Sequence, residues 1–517
     1  MVIESLAALA LALCAYQVVV QPERARWPAE RVRAVVAASG AYFTSNLLLL
    51  LAGLVSMPIM TRLLSKADYG LLSLIFATVS VLAVVGGSGF GEAAVRLYGE
   101  HKVDGAAAVR RLCDSLLGGA LGMGLLVGLV VALFAGAAAS PAEFRRCLLL
   151  ASILIVVRVV SGVLYQIYRA QERAVAHAAT QVSIRYATTA LAIALLLLYE
   201  RRAFTVLVAT LVVEAATVAV RLVDLSRRGI ITRPRLVPHL LAAAAGYGVP
   251  LAVAGAARFL LDYGDRFVIE HLLDLGAVAT YSVAYDVAQK LAESLLGPVQ
   301  LAVVPILFRM WAEEGGEETA RFASRVLTYM IALSVPVALL YWVLNDEVIV
   351  LLASTKYRGS SALTPYLLPG VILGSMNFIA IAGLTIQKRT AVLALNVCLA
   401  ALFNLALNLL LVPRYGLAGA AMATTLAFAA LLIANYALSR SVLRLRLDGV
   451  IVAKTLVASA AMLLLVARAG RAGWPLLQDV IVRGALGVAA IALCFSILDA
   501  DLRRWAWARV HKAARRE

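Results

Sequence analysis

Residues 148–168 read LLLASILIVVRVVSGVLYQIY, an unbroken apolar run holding one charge, Arg158. At about 1.5 Å of rise per helical residue, such a run crosses the roughly 30 Å hydrocarbon core of a bilayer. Working outward, fourteen runs of this kind are separated by charged or Pro/Gly turns, the first over Val35–Met60 and the last over Ile481–Leu498. Of the 517 residues 62% are hydrophobic and only 15% charged, too little polar surface to coat a fold in water. Backbone N–H and C=O groups find no water partner in lipid, so each run is predicted to be a helix. The sequence therefore describes an all-α polytopic membrane protein with about 14 transmembrane helices.

Lys and Arg outnumber Asp and Glu by 47 to 30, for a formal net charge of +17. In a soluble chain that excess would raise nucleic acid as a partner; here the positive-inside rule accounts for most of it, and no nucleic acid is expected. The basic residues concentrate before the first span, in alternate loops and in the tail, which predicts a cytoplasmic N-flank of the core and a cytoplasmic C-terminus. Arg503, Arg504, Arg509, Lys512, Arg515 and Arg516 around Trp505 and Trp507 read as an interfacial anchor on anionic membrane lipids. Residues 6–20 are apolar but short, and their reading stays open between a further span, a surface helix and an over-extended start. The five cysteines are scattered without CxxC or Cys/His spacing, so no disulfide framework, metal site or cofactor is expected.

Shifting the chain by 209 residues lays Arg62-Leu63-Leu64-Ser65 on His271-Leu272-Leu273-Asp274, and Leu72-Ser73 on Tyr281-Ser282. Both stretches are turns between the first and second spans of a six-span block, the pattern of a duplicated transporter lobe. The expected organisation is an apolar segment and basic flank over 1–33, an N-lobe over 34–232 with spans one to six, a C-lobe over 233–440 with spans seven to twelve, and an extra helix pair with a basic tail over 441–517. Pro234 and Pro238 in the Arg-rich linker from Ser226 to His239 stop helices at the lobe boundary. The run Gly86-Gly87-Ser88-Gly89-Phe90-Gly91 lacks the strand–helix context and the Lys-Ser/Thr of a phosphate loop, and reads as a helix end.

A charge at mid-bilayer costs several kcal/mol unless it faces a cavity or a partner, so each charge inside a span is a candidate functional group. Arg158 and Arg185 in the N-half and Arg258 and Lys290 in the C-half are expected to make a cationic cavity for substrate, because guanidinium forks suit phosphate oxygens. Tyr165, Gln181, Asp262, Ser282, Tyr285, Asp286 and Gln289 would line it with groups suited to sugar hydroxyls. Ser282, Tyr285, Asp286, Gln289, Lys290 and Glu293 follow one another at helical steps along the eighth span. Glu214 and Glu293 are candidates for carrying a coupling ion. The same spacing allows a plainer arrangement, with Arg258 paired to Asp262 and Lys290 to Asp286 within their own helices. Asn377, Asn404 and Asn408 are expected to bridge helices.

The segment Thr61-Arg62-Leu63-Leu64-Ser65-Lys66-Ala67-Asp68-Tyr69-Gly70-Leu71, with Arg96-Leu97-Tyr98 after it, resembles the polysaccharide-biosynthesis flippases that export O-antigen and exopolysaccharide repeat units. These belong to the multidrug/oligosaccharidyl-lipid/polysaccharide exporter superfamily. Tyr247-Gly248-Val249-Pro250, Asp265-Arg266-Phe267, Tyr281-Ser282-Val283-Ala284-Tyr285 and Pro413-Arg414-Tyr415-Gly416-Leu417-Ala418-Gly419 follow in the same order and spacing, over roughly residues 36–440. Ala279 departs from the pattern, standing where that family usually has Gly. The resemblance implies two pseudo-symmetric six-helix lobes, alternating access, a polyprenyl-diphosphate-linked glycan as cargo and a place in the bacterial inner membrane, beside polysaccharide polymerase or assembly proteins. It implies a transporter for surface lipopolysaccharide or exopolysaccharide, not an enzyme. Two other readings stay open: a cation-coupled drug or metabolite antiporter of the same superfamily, and a membrane-embedded glycan polymerase or ligase.

Overall fold

The computed structural model describes residues 48–87, 89–137, 141–171, 174–469 and 475–498. Among them there is no strand. The first elements are α1 (Leu48–Leu63), α2 (Lys66–Gly87), α3 (Phe90–Val103), α4 (Ala106–Ala137), α5 (Ala142–Ala170), α6 (Ala174–Leu198) and α7 (Ala203–Arg227). After the Pro-bearing linker come α8 (Pro238–Tyr263), α9 (Asp265–Leu272), α10 (Leu275–Glu313), α11 (Gly316–Val343) and α12 (Asn345–Ala353). The chain closes with a 3₁₀ segment (Thr355–Leu363), α13 (Thr364–Ala380), α14 (Ala382–Ile386), α15 (Thr390–Tyr415), α16 (Leu417–Ser439), α17 (Gly449–Ala469) and α18 (Leu476–Leu498).

Among the described residues twelve helices are long and apolar enough to cross a membrane, and they fall on the second to the thirteenth expected spans. The first expected span is described only as the shorter apolar helix α1, and the fourteenth is α18, a further 23-residue helix outside those twelve. Residues 6–20 and the Arg/Trp tail lie outside the described residues.

Helix starts carry the signature of the repeat. The Ser65 hydroxyl accepts the Asp68 amide at 3.0 Å and opens α2; 209 residues on, Asp274 Oδ1 accepts the Ala277 amide at 2.7 Å and opens α10. A side-chain oxygen at the N-cap satisfies one of four orphan amides, which is why short polar residues stand at both places. The Ser73 and Ser282 hydroxyls, also 209 apart, hydrogen-bond each other at 2.8 Å. Gly70 stands where a Cβ would lie 1.9 Å from Leu275 O and 3.2 Å from the amide nitrogen of its own counterpart, Ala279. At this crossing the glycine is needed on one side only, which accounts for the departure at Ala279.

The chain gathers into two compact units. Of the described residues, one takes those from 48 to 282 and Ala391–Ala427; the other takes Val283–Thr390 and those from 428 to 498. In the first, α5 is the central helix, packed against α2, α3, α4 and α7. Its Leu154, Ile155, Leu164 and Ile167 are fully buried with Leu112 and Leu116 of α4. The joint between α2 and α3 turns at Gly89, in the left-handed region at φ 71°, and there the backbone meets Gly248 of α8. A Cβ on Gly89 would lie 2.0 Å from Gly248 O, and one on Gly248 2.5 Å from Gly89 O. The Gly-rich run is thus a helix end, as expected from the sequence, and also a backbone crossing.

In the second unit, Leu296, Val303, Leu307, Met330, Ile379 and Leu443 form a core. The α17–α18 pair packs on α11 through Leu340, Leu344, Met462, Val466 and Ala490. Arg483 of α18, 7% exposed, binds Asp479 at 2.7 Å and Glu347 of α12 at 3.0 Å. The Asn377 and Asn435 amides bridge α13 to α16 at 3.0 Å.

Candidate functional site

Inside the first unit, α5, α6 and α7 pack on one another and carry a ladder of polar groups. On α5, Arg158, Ser161, Tyr165 and Tyr168 recur at steps of three and four, one face of the helix. On α7, Glu214, Arg221 and Asp224 answer them. Arg158 grips Glu214 through Nε at 3.1 and 3.2 Å and Nη2 at 3.0 Å, with its guanidinium carbon 5.5 Å from the Phe76 ring. Nearer the ends of both helices, Arg221 Nη1 donates to the Ser161 hydroxyl at 3.1 Å and carbonyl at 3.4 Å, and its guanidinium lies 5.7 Å from the Tyr165 ring. Tyr165 in turn accepts Gln181 Nε2 of α6 at 2.6 Å. On the last rung Asp224 takes the Tyr168 hydroxyl at 2.5 Å and Arg228 at 2.8 Å. One helical turn from Gln181, Arg185 is exposed and donates to the Ser56 hydroxyl at 3.2 Å.

Arg158 and Glu214, with side chains 25% and 15% exposed, form a bidentate pair in a place where neither charge has enough water. Removing one member strands the other, whereas replacing both by hydrocarbon removes the desolvation along with the attraction. Glu214→Ala is therefore expected to destabilise the protein by about 2 kcal/mol. Arg158→Met with Glu214→Leu should unfold within a few degrees of wild type, as read by thermal unfolding in detergent. A double variant less stable than the single one would reverse this reading.

A second cluster joins α8, α9, α10, α15 and α16. Arg258 Nε binds Asp262 at 3.0 Å within α8, the intrahelical pairing that the spacing allows. Three residues on, the fully buried Asp265 accepts Asn408 Nδ2 at 2.6 Å on one oxygen, and Thr424 at 2.5 Å with the Tyr281 hydroxyl on the other. Asn408 Nδ2 also lies 3.0 Å from Asn404 O and 3.2 Å from Asn404 Oδ1, so three oxygens surround one point. Beside it Arg266, 1% exposed, donates from Nε to Ser73 at 2.9 Å and Ser282 at 3.1 Å, and stacks on Tyr263. The carboxylate is thus met by an amide N–H and two hydroxyls, so its lone pairs are engaged by donors inside the protein. Among the described residues no group of three or more His, Cys, Asp or Glu is placed to hold a metal. Asn404 and Asn408 also border a cavity of about 680 Å³ whose other walls are hydrocarbon, from Val249, Val253 and Leu260 of α8 to Leu402 and Leu405 of α15.

Along α10, Ser282 and Tyr285 are buried, Asp286, Gln289 and Lys290 half-buried, and Glu293 exposed. Gln289 donates to Glu293 at 2.6 Å. Lys290 makes no ion pair among the described residues. The structure thus joins Tyr165 to Gln181, Arg158 to Glu214, Arg258 to Asp262 and Gln289 to Glu293. It adds Arg221, Asp265 and Arg266 to the polar groups that the sequence singled out.

These arrangements have counterparts in known proteins. The sequence profile described as polysaccharide biosynthesis protein matches residues 35–311. An uncharacterised membrane protein of Methanocaldococcus jannaschii is 24% identical over 183 residues, 35% of this chain and 36% of that protein, so the match spans about a third of the relative's length. Among solved structures, the lipid II flippase MurJ in an inward closed conformation superposes with a TM-score of 0.73 at 16% identity, over 90% of this chain and 99% of that one. An inward-facing multidrug resistance MATE family transporter of the MOP superfamily superposes with a TM-score of 0.55 at 16% identity, over 77% and 94% of the two chains. At such identities the likeness is one of fold. With more than half of its length matched by the family profile, this multi-pass membrane chain belongs to the polysaccharide biosynthesis protein family.

Proposed function

We propose that this protein is a flippase that carries a polyprenyl-diphosphate-linked oligosaccharide from the cytoplasmic to the outer leaflet of the inner membrane, for surface or exopolysaccharide assembly. The observation that carries the reading is the ladder of half-buried guanidinium, hydroxyl and amide groups among three spans of a polysaccharide-biosynthesis family member. Hydrocarbon spans gain nothing from such groups unless something polar travels past them. Sugar hydroxyls and phosphates are matched by amides, hydroxyls and arginines, while the polyprenyl chain can stay in lipid. Two lobes of six helices that rock about the matched repeats would expose the polar face to each side in turn. Asp265 joins Glu214 and Glu293 as a carboxylate able to couple an ion to that motion.

Depletion in the native host is the direct test. Lipid-linked repeat units are expected to accumulate, protected from a membrane-impermeant glycan-modifying reagent in sealed right-side-out cells, with surface glycan lost. Repeat units that still reach the outer leaflet at the normal rate would end the flippase reading. Unpolymerised units accumulating on the outer leaflet would point instead to a polymerase or ligase.

A further inference from the structure

We infer that Arg221 and Arg185 form the anchor for the diphosphate of the lipid-linked cargo, with Tyr165 and Gln181 as the strut between them; this rests on the flippase reading above. A charge bookkeeping along the ladder leads there. Arg158 is held by Glu214, and Asp224 by Arg228 and Tyr168, so both carboxylates on this part of α7 are engaged by other groups. Arg221 lies between them and is 5% exposed, yet among the described residues it has no carboxylate partner. Its hydrogen bonds run from Nη1 alone and end on neutral oxygens of Ser161. A guanidinium has five N–H donors, so Nε and Nη2 leave three without a bond among those residues.

Burying an arginine without a counter-charge is costly in a low dielectric. The C-terminal dipole of α7 does not offset that cost, because its influence fades within the last turn and Arg221 stands six residues before the end. What such a cation lacks is an anion, and a diphosphate supplies two negative groups about one phosphate apart. A second cation stands on the adjacent helix, α6. Gln181, bonded to the tyrosine whose ring neighbours Arg221, is one helical turn from Arg185, which is also without a carboxylate partner among the described residues. Arg185 is exposed and Arg221 is not, so the diphosphate meets Arg185 first and Arg221 on moving inward.

The test uses the full-length protein in nanodiscs, with farnesyl diphosphate, inorganic diphosphate and farnesol as probes. Wild type is expected to bind farnesyl diphosphate most tightly. Arg221→Gln, which keeps a donor for Ser161, should lose about tenfold or more, the worth of one charge-assisted bond pair, and Arg185→Gln at least several-fold. If Arg221→Gln fails to fold, Arg221→Lys serves: loss of the fork should still weaken binding several-fold. Wild-type affinity in the folded Arg221 and Arg185 variants overturns the anchor while leaving the flippase intact. No binding of farnesyl diphosphate by wild type overturns the cargo reading itself. Equal affinity for inorganic diphosphate overturns a lipid-borne ligand.

Discussion

Alanine at Gly248 is expected to produce a protein that unfolds well below wild type or fails to accumulate. The added Cβ would sit 2.5 Å from the Gly89 carbonyl oxygen, and backbone on both sides leaves no side chain to swing away. Separating α8 from the α2–α3 joint is the remaining escape, and overpacking of this kind costs about 1–3 kcal/mol. Alanine at Gly89 should be worse. Its Cβ would meet three Gly248 backbone atoms within 2.2 Å, and the left-handed φ adds about 1 kcal/mol for any residue with a Cβ. Gly246, on the same helix, has nothing within 4 Å of its would-be Cβ, so alanine there should leave stability unchanged or raise it by about 1 kcal/mol through helix propensity. Thermal unfolding of the three purified variants in one detergent separates the cases; a Gly248→Ala protein as stable as Gly246→Ala would show that the crossing is looser than the structure has it.

The second large effect is expected at Asp265. Replacing it by Ala removes the acceptor of Asn408, Thr424 and the Tyr281 hydroxyl inside a fully buried cluster. Some of these donors have a fallback: Thr424 reaches Ala420 O at 3.1 Å and Asn408 reaches Asn404 O at 3.0 Å. The net loss is therefore about 3 kcal/mol rather than the sum of three orphaned donors. Asp265→Asn keeps one acceptor oxygen in the same volume and should lose about half as much. An Asn variant that folds, purifies and still supports surface glycan would remove Asp265 from the coupling candidates; an Ala variant with wild-type stability would contradict the cluster itself.

Much of the architecture is readable in the sequence because the bilayer imposes a length and an apolar composition on every crossing. The spans from α2 to α17 stand out for that reason, as do the capped turns at Ser65 and Asp274. Pairs within one helix are equally visible: Arg258 and Asp262 are four apart and do meet. Pairs between helices are not. Arg158 reads as an uncompensated cation because its partner Glu214 lies 56 residues away, on a helix whose facing side no single-helix period reveals. Arg221 goes unnoticed for the converse reason. Six residues from the end of α7, it reads as an interfacial cation, and only its burial against Ser161 and Tyr165 shows otherwise. Asp265 and Arg266 are visible in sequence only through the family resemblance, since they stand between two spans, where charge is ordinary.

The bond between Ser73 and Ser282 joins equivalent places of the 209-residue repeat. When a residue touches its own counterpart, it marks the line about which one copy rotates onto the other, as identical residues do at the centre of a homodimer. Were the 209-residue repeat the trace of a duplication, one serine would once have met its own copy at this place, and any change there would have altered both partners at once. Within one chain the two positions are independent, so the matched places one helical turn away can hold different residues, Gly70 and Ala279, while the serines keep their bond.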